Sequence, residues 1–187
     1  MARRTDTRDR VLRTAADLFR AQGYHATGLN QVLAEGDAPK GSLYFHFPGG
    51  KEQLAVESLA LAGDEQCAAL RSVLTSTADP VEALERAVEL LGEHLAASGF
   101  RNGCPIATVA LDASAESEPI RQACVSVYDS WQELISDHLA AAGFTDSDGL
   151  ATVLLASIEG ALLLARTRHD LAPLRAVGAR LRPLLGK

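Results

Sequence analysis

Apolar residues along this chain recur at three- and four-residue steps, the spacing that lines one face of an α-helix, and they show no alternation of the kind a half-buried strand requires. The first such stripe is Val11, Leu12, Ala15, Leu18 and Phe19, starting near Thr7 and ending before Gly23. Arg8, Arg10, Arg13 and Arg20 lie largely off it. Thr27 is placed to N-cap a second helix, with Leu29, Val32 and Leu33 facing inward and Gly36-Asp37 closing it. Pro39 suits the first turn of a third helix, where its missing N–H is no loss. That helix holds Lys40 to His46 and stops before Pro48, because the residue ahead of a proline is pushed out of the helical region.

Beyond the Pro48-Gly49-Gly50 turn the helices lengthen. Lys51 to Ser76 reads as one helix, with Leu54, Leu61 and Leu70 among its apolar positions. Asp79-Pro80 starts the next, burying Val81, Leu84, Val88, Leu91 and Leu95 and wetting Glu82, Glu85, Glu89 and Glu93. A loop follows from Ser98 to Gly103, and Pro105 restarts a short helix to Asp112. Ser117 caps a long helix reaching Ala142, whose inner stripe is Ile120, Cys124, Val127, Trp131, Leu134 and His138. Asp146–Arg168 and Leu171–Leu185 complete the pattern, with Pro173 in the first turn of the last helix. The expected fold is all-α with about nine helices, a three-helix N-terminal head on a larger helical body.

The helix from Asp146 is apolar around its whole circumference: Leu150, Val153, Leu154, Leu155, Ile158, Leu162, Leu163 and Leu164 leave no wet face. Such a helix must be buried on every side. Two arrangements achieve this: the central core helix of a monomer, or a helix packed on its own core and on a second subunit. The scarcity of other helices to cover it favours the second, and Gly160-Ala161 would let two backbones approach. The apolar run, Leu150 to Ala165, contains Glu159 and is shorter than the roughly 20 residues of a bilayer span, so no membrane partner is expected.

Composition excludes several classes. With 187 residues, 47 % apolar and 22 % charged, and a mean hydropathy of +0.03, the chain is no disordered or fibrous protein. Cys67, Cys104 and Cys124 form no CxxC pair, and the N-terminus is polar where an export signal needs an apolar core; a reducing cytoplasm is expected. No HExxH, GxSxG or GxGxxG run is present. Pro48-Gly49-Gly50-Lys51-Glu52 lacks both the leading glycine and the following Ser/Thr of a phosphate loop, and the five histidines are dispersed. No enzyme activity, metal or cofactor is expected.

The net charge of −6 speaks against a nucleic-acid partner until it is resolved along the chain. Residues 1–51 carry 8 Lys and Arg against 5 Asp and Glu, a net of +3, and the rest carries 10 against 19, a net of −9. A basic head on an acidic body suits a nucleic-acid-binding module, although a few arginines on one solvated helix give the same count. The two short helices across a tight turn add a second argument. They form a helix-turn-helix, whose groove-reading side chains sit near the start of its second helix.

Three runs in this head resemble the TetR family of bacterial transcriptional repressors. They are Val11 to Gly23-Tyr24, then Thr27 with Leu29 and Val32, and above all Lys40-Gly41-Ser42-Leu43-Tyr44-Phe45-His46-Phe47 followed by Lys51-Glu52. The Pro48-Gly49-Gly50 turn is a residue longer than the usual family spacing. Together with Asn102-Gly103-Cys104-Pro105-Ile106 and Glu159-Gly160-Ala161-Leu162, it resembles the LmrA/YxaF-like branch, which includes multidrug- and flavonoid-responsive repressors. Two departures are Asp37 where the family often has glycine, and Pro39 where it usually has a hydroxyl residue. The resemblance implies a homodimer joined by its last two helices, with residues 1–50 as the DNA-binding domain and 51–187 as the effector and dimerisation domain. A ligand in the body would move the linking helix, residues 51–76, and re-space two heads that must meet major grooves about 34 Å apart.

Residue roles follow. Lys40 and Lys51 are the candidate phosphate contacts, with Thr27 and the backbone N–H groups at the second helix's start. Gly41 allows close approach to the groove, and Ser42 and Tyr44 match family positions that meet base edges or phosphates. Phe45 lacks the hydroxyl of the family's second tyrosine and offers an apolar surface, for instance to a thymine methyl. His46 read alone is a packing or capping residue; the resemblance makes it a phosphate contact. The candidate effector residues are Phe100, Cys104, Ile106, Val127, Trp131, Ile158 and Leu162, each of which also suits plain core. Trp131 can stack on a planar ligand. Glu159, ionisable within an apolar helix, needs a partner: Arg166 or Arg168, a group across the dimer, or an effector, with the structural partners ranked first. The expected function is sequence-specific binding of a pseudo-palindromic DNA operator by a repressor that a small apolar or aromatic ligand releases. The alternative keeps the DNA binding but places it under a protein partner or no effector at all.

Overall fold

In the computed structural model, which describes residues 2–186, the first helix ends where Gly23 takes a left-handed turn at φ 87°, its N–H closing on the Phe19 carbonyl at 2.9 Å. Side chains are described from Thr7 to Gly186, so those of Arg3 and Arg4, counted above in the basic head, lie outside the described residues. The helices are α1 Ala2–Gln22, α2 Leu29–Glu35, α3 Ser42–His46, α4 Gly50–Leu74, α5 Pro80–Ala97, α6 Pro105–Ala113, α7 Glu118–Ala141, α8 Ser147–Arg168 and α9 Ala172–Leu184. Among the described residues there is no strand.

Several expectations change. The first helix starts earlier than Thr7. Thr27 does not cap α2: Gly28 is its N-cap, extended at φ −88° and ψ 139°, and the Thr27 hydroxyl turns back to donate to the Gly23 carbonyl at 2.7 Å. The third helix begins at Ser42, past Pro39, whose carbonyl accepts both the Ser42 N–H and its hydroxyl in a tight turn. On α7 the buried stripe runs Ile120, Cys124, Val127, Trp131, Ile135 and Leu139, while Leu134 and His138 are half-buried. Continued four-residue steps past Trp131 carry the inner face to Ile135 and Leu139.

The chain divides into two compact units: residues up to Asp64 with Cys104–Val127, and Glu65–Gly103 with the residues from Tyr128 onward. In the first, α1 packs on α2 and α6, burying Val11, Phe19, Val32, Leu43, Phe47 and Ile106. Gly63 of α4 meets α7 so closely that a Cβ there would sit 2.6 Å from a Val127 methyl. In the second unit, α5, α8 and α9 pack together over Val81, Leu84, Leu95, Leu154, Leu174 and Leu181. Asp79 N-caps α5 by accepting the Val81 N–H at 2.9 Å, and Arg182 of α9 forks onto Asp79 and Glu85 at 2.9 and 3.1 Å. The Arg182 hydrogen bond, then the Val81 N–H, hold the Asp79 carboxyl below its usual range. The helix α8 extends past the apolar run at both ends and is long and apolar enough, by length and composition, to cross a bilayer. Here it packs on α5 and α9, with Ala151, Leu154, Ala161, Leu162 and Ala165 buried and Val153, Leu163 and Leu164 exposed.

Candidate nucleic-acid interface

The three-helix head owes its shape to close contact between α1 and α2. A Cβ at Gly36 would stand 2.9 Å from the Val32 carbonyl oxygen of α2's own last turn and 3.2 Å from the Thr14 hydroxyl of α1, so glycine suits the end of α2 beside α1. The next residue, Asp37, takes the left-handed conformation at φ 48°, which aspartate tolerates through its short polar side chain. Arg10 of α1 steadies this turn, donating to the carbonyls of Gly36 at 3.2 Å and Asp37 at 3.1 Å. Arg8 pairs with Glu57 of α4, and its guanidinium lies over the Phe47 ring, 5.1 Å from the centroid. Two of the basic residues that suggested a nucleic-acid surface are therefore partly occupied inside the head.

The turn delivers α3 with two faces. Leu43 and Phe47 are buried, which fixes its rotation, and Tyr44 and Phe45 stand 65 % and 61 % exposed. Lys40 and Gly41 are exposed in the lead-in, and Ser42 and His46 are half-buried. The His46 ring sits edge-on to Phe45, 4.9 Å between centroids. A Cβ at Gly41 would meet nothing within 4 Å, so packing within the chain does not call for glycine there. Six of the candidate residues, Lys40, Gly41, Ser42, Tyr44, Phe45 and His46, thus come together on one short segment.

The other two lie elsewhere. Thr27 is only 1 % exposed, its hydroxyl held between the Gly23 carbonyl and the Gln22 amide. Lys51 turns toward the α1–α2 turn: its ammonium lies 4.6 Å from the Tyr24 ring centroid and donates to the His25 carbonyl at 3.4 Å. Burial lowers the Lys51 pKa, with Asp112 opposing that shift. Burial likewise raises the Tyr24 phenol, and Glu52 adds to the rise. From the sequence, neither Tyr24, which carries part of the resemblance, nor Asp112 has an assigned role at this site. Their signal there is weak, because neither lies on a periodic stripe near the residue it engages.

The candidate effector residues divide between the units. In the first, Cys104, Ile106 and Val127 are buried, and the Cys104 sulfur accepts the Ala107 N–H at 3.4 Å as the N-cap of α6. In the second, Trp131 and Leu162 are buried and Ile158 and Glu159 half-buried, with the Trp131 ring edge-on to Tyr128 at 5.7 Å. Phe100, left-handed at φ 62°, stacks on His169 at 5.3 Å. A groove of about 430 Å³ between α5 and α9 is lined by Val88, Leu171 and Leu174, with Glu85, Glu89 and Arg175 around them; none of the candidate effector residues lines it.

The chain was compared with known proteins. The family model described as "Bacterial regulatory proteins, tetR family" matches residues 11–57, and that described as "Transcriptional regulator LmrA/YxaF-like, C-terminal domain" matches residues 80–180. The chain is 35 % identical to the HTH-type transcriptional regulator YxaF of Bacillus subtilis over 189 residues, covering 100 % of this chain and 99 % of that one. It is 36 % identical to the regulator LmrA of the same organism over 182 residues, 96 % of this chain and 97 % of the relative. Among solved structures, a TetR transcriptional regulator from Chloroflexus aurantiacus matches with a TM-score of 0.85 at 27 % identity, covering 100 % and 98 % of the two chains. The TetR family regulator CifR, in a cysteine-substituted form complexed with 26-base-pair double-strand operator DNA, matches with a TM-score of 0.81 at 26 % identity, covering 92 % and 93 %.

Proposed function

Because the chain belongs to the TetR family of bacterial DNA-binding transcriptional regulators, in its LmrA/YxaF-like branch, we propose that it is a repressor whose homodimer occupies a pseudo-palindromic operator and leaves it when a small apolar or aromatic ligand binds. The observation that carries this reading is the two-faced α3. A helix that buries Leu43 and Phe47 while leaving Tyr44 and Phe45 largely exposed on its other face offers an aromatic surface to an outside partner. Lys40 reaches phosphate beside it, Gly41 lets the backbone approach, Ser42 and Tyr44 contact base edges or phosphate, Phe45 meets thymine methyls and His46 meets phosphate. Thr27 supports the set by locking the turn ahead of α2, and Lys51 does so from the start of α4.

Residues 1–50 act in this reading as the DNA-binding head, and 51–187 as the effector and dimerisation region, in the cytoplasm. The exposed Val153, Leu163 and Leu164 of α8 and Leu184 of α9 support pairing through these two helices, since apolar side chains there gain from cover by a second copy. Buried Cys104, Ile106, Val127, Trp131 and Leu162, with Ile158 and Phe100, are the candidate ligand contacts.

A fluorescence anisotropy titration on the intergenic DNA beside the protein's own gene tests the reading. The expected result is a sequence-selective complex whose affinity falls steeply with salt, as phosphate neutralisation requires. Flavonoids and cationic drugs added to the complex test the effector class. No selective complex at low salt, with Lys40→Ala changing nothing in the residual binding, would refute it.

A further inference from the structure

His25 lies in the turn between α1 and α2, and side chains from two other helices hold its backbone. Its N–H donates to the Asp112 carboxylate of α6 at 2.7 Å, and its carbonyl accepts from the Lys51 ammonium of α4 at 3.4 Å. The two side chains carry opposite charges and attract across the peptide they grip. Asp112 also sits against the preceding Gly23, where a Cβ would come within 3.0 Å of its carboxylate oxygen. Two further ties run beside the first. The His25 ring approaches Glu116 at 3.4 Å, and Ser117, which accepts the Ile120 N–H at the start of α7, donates to Glu52 at 2.7 Å.

Nothing within the turn takes up the His25 N–H. Within the turn the Thr27 N–H bonds to the Tyr24 carbonyl, the Thr27 hydroxyl to Gly23 and the Gln22 amide to Ala26, whereas the His25 N–H goes to Asp112. We propose that Asp112 is a positioning residue for operator binding: with Lys51 it clasps the α1–α2 turn, so that α6 as well as α4 sets where the helix-turn-helix is held. The proposal deepens the DNA-binding reading and rests on it. The consequence is mechanical. Cys104 and Ile106, candidate effector residues, occupy the start of the nine-residue α6, and Asp112 its last turn. Asp112 thus ties the head to the helix whose first turn carries those residues.

The sign of one substitution separates this from bulk electrostatics. Removing a negative charge near phosphate strengthens DNA binding, whereas breaking the clasp weakens it by lowering the fraction of correctly held heads. Asp112→Asn removes the charge but keeps an oxygen acceptor for the His25 N–H; Asp112→Ala removes both, and alanine suits an exposed position in the last turn of a helix. The full-length wild-type and variant proteins are titrated onto operator DNA, and amide exchange at His25 is followed by NMR. An exposed hydrogen bond to a charged group shifts such an equilibrium by up to about tenfold. Asp112→Ala is expected to speed His25 exchange by about fivefold and to weaken operator binding by at least about threefold, with the melting temperature little changed. Asp112→Asn should match the wild type in exchange and bind as tightly or more so. Equal exchange in all three proteins, or Asp112→Ala binding as tightly as Asp112→Asn, overturns the proposal. If the wild type itself selects no operator, the DNA-binding reading fails, and the exchange rates still decide whether the clasp exists.

Discussion

Replacing Gly63 by alanine puts a methyl group into the contact between α4 and α7. The new Cβ would stand 2.6 and 2.7 Å from the two γ carbons of Val127 and 3.3 Å from its Cβ. Carbon atoms attract best at about 3.5–4.0 Å, so both methyls must give by about 1 Å. Valine on a helix has one strongly preferred χ1, and Val127 is itself buried, so relief has to come from parting the helices. Overpacking of this severity belongs near the upper end of its usual cost, about 3 kcal/mol. Alanine recovers about 1 kcal/mol of helix propensity over glycine. The net expectation is a loss of about 2 kcal/mol, measured as a lower urea midpoint at fixed protein concentration, since self-association also moves the midpoint. Val127→Ala restores the space, so the double variant should be more stable than the sum of the single changes by about 3 kcal/mol, the overpacking relieved. A Gly63→Ala protein that gains stability, or a cycle additive within about 0.5 kcal/mol, refutes the close approach of α4 and α7. The same pair has a functional readout. If the placement of α4 governs the heads, Gly63→Ala weakens operator binding and Val127→Ala in the same chain restores it.

Lys40→Ala should weaken binding to all DNA sequences about equally and lower the slope of log affinity against log salt by about 1, read from anisotropy titrations at several salt concentrations. Phe45→Ala should leave the melting temperature unchanged while reducing operator selectivity, whereas Leu43→Ala, two residues earlier but buried, should cost about 2–5 kcal/mol of folding stability by denaturant titration. Glu118 is held at about 2, first by the Arg121 hydrogen bond and then by Gln122. A depressed folded pKa contributes stability above the ordinary carboxylate value of 4.5 that is lost as pH falls toward about 2, so Glu118→Gln should flatten the melting temperature across that acid window only. If the chain pairs through α8 and α9 as proposed, Leu163→Glu, which places a charge on the exposed α8 face, should shift it from dimer to monomer in sedimentation experiments.

Helical periodicity made most of the fold legible, because each long helix buries a stripe that repeats in the sequence. Asp79-Pro80 and Pro105 marked the starts of α5 and α6 because proline tolerates only the first turn. Thr27 misled as a cap because a threonine hydroxyl can reach either back to a carbonyl or forward to an N–H, and composition does not say which. The α3 segment stood out as a run of consecutive residues. The clasp on His25 did not, because Asp112 lies 87 residues away on an exposed helix end where no stripe points to it. Lys51 was legible as a cation near the head, but its direction depends on Tyr24 and the His25 carbonyl, which only the folded turn brings beside it.

Three glycines show how packing separates internal from external demands. Gly36 and Gly63 are required by the chain itself: a Cβ on either collides with atoms at 2.9 Å and 2.6 Å that belong to neighbouring backbone or to a stiff, buried side chain. Gly41 faces open space, has an ordinary negative φ of −77°, and caps a helix that other residues would cap better. No folding argument favours glycine there, and the surrounding side chains are Lys40, Tyr44 and Phe45, all exposed. A glycine with no internal cause beside an exposed aromatic pair points to an outside surface that approaches the backbone closely, as the floor of a DNA groove does. Gly41→Ala, whose poorer capping offsets its gain in backbone entropy, is therefore expected to leave the melting temperature little changed and still weaken operator binding. A Gly41→Ala protein that binds operator as well as the wild type would remove close backbone approach from the recognition mechanism and leave side-chain contacts alone to supply it.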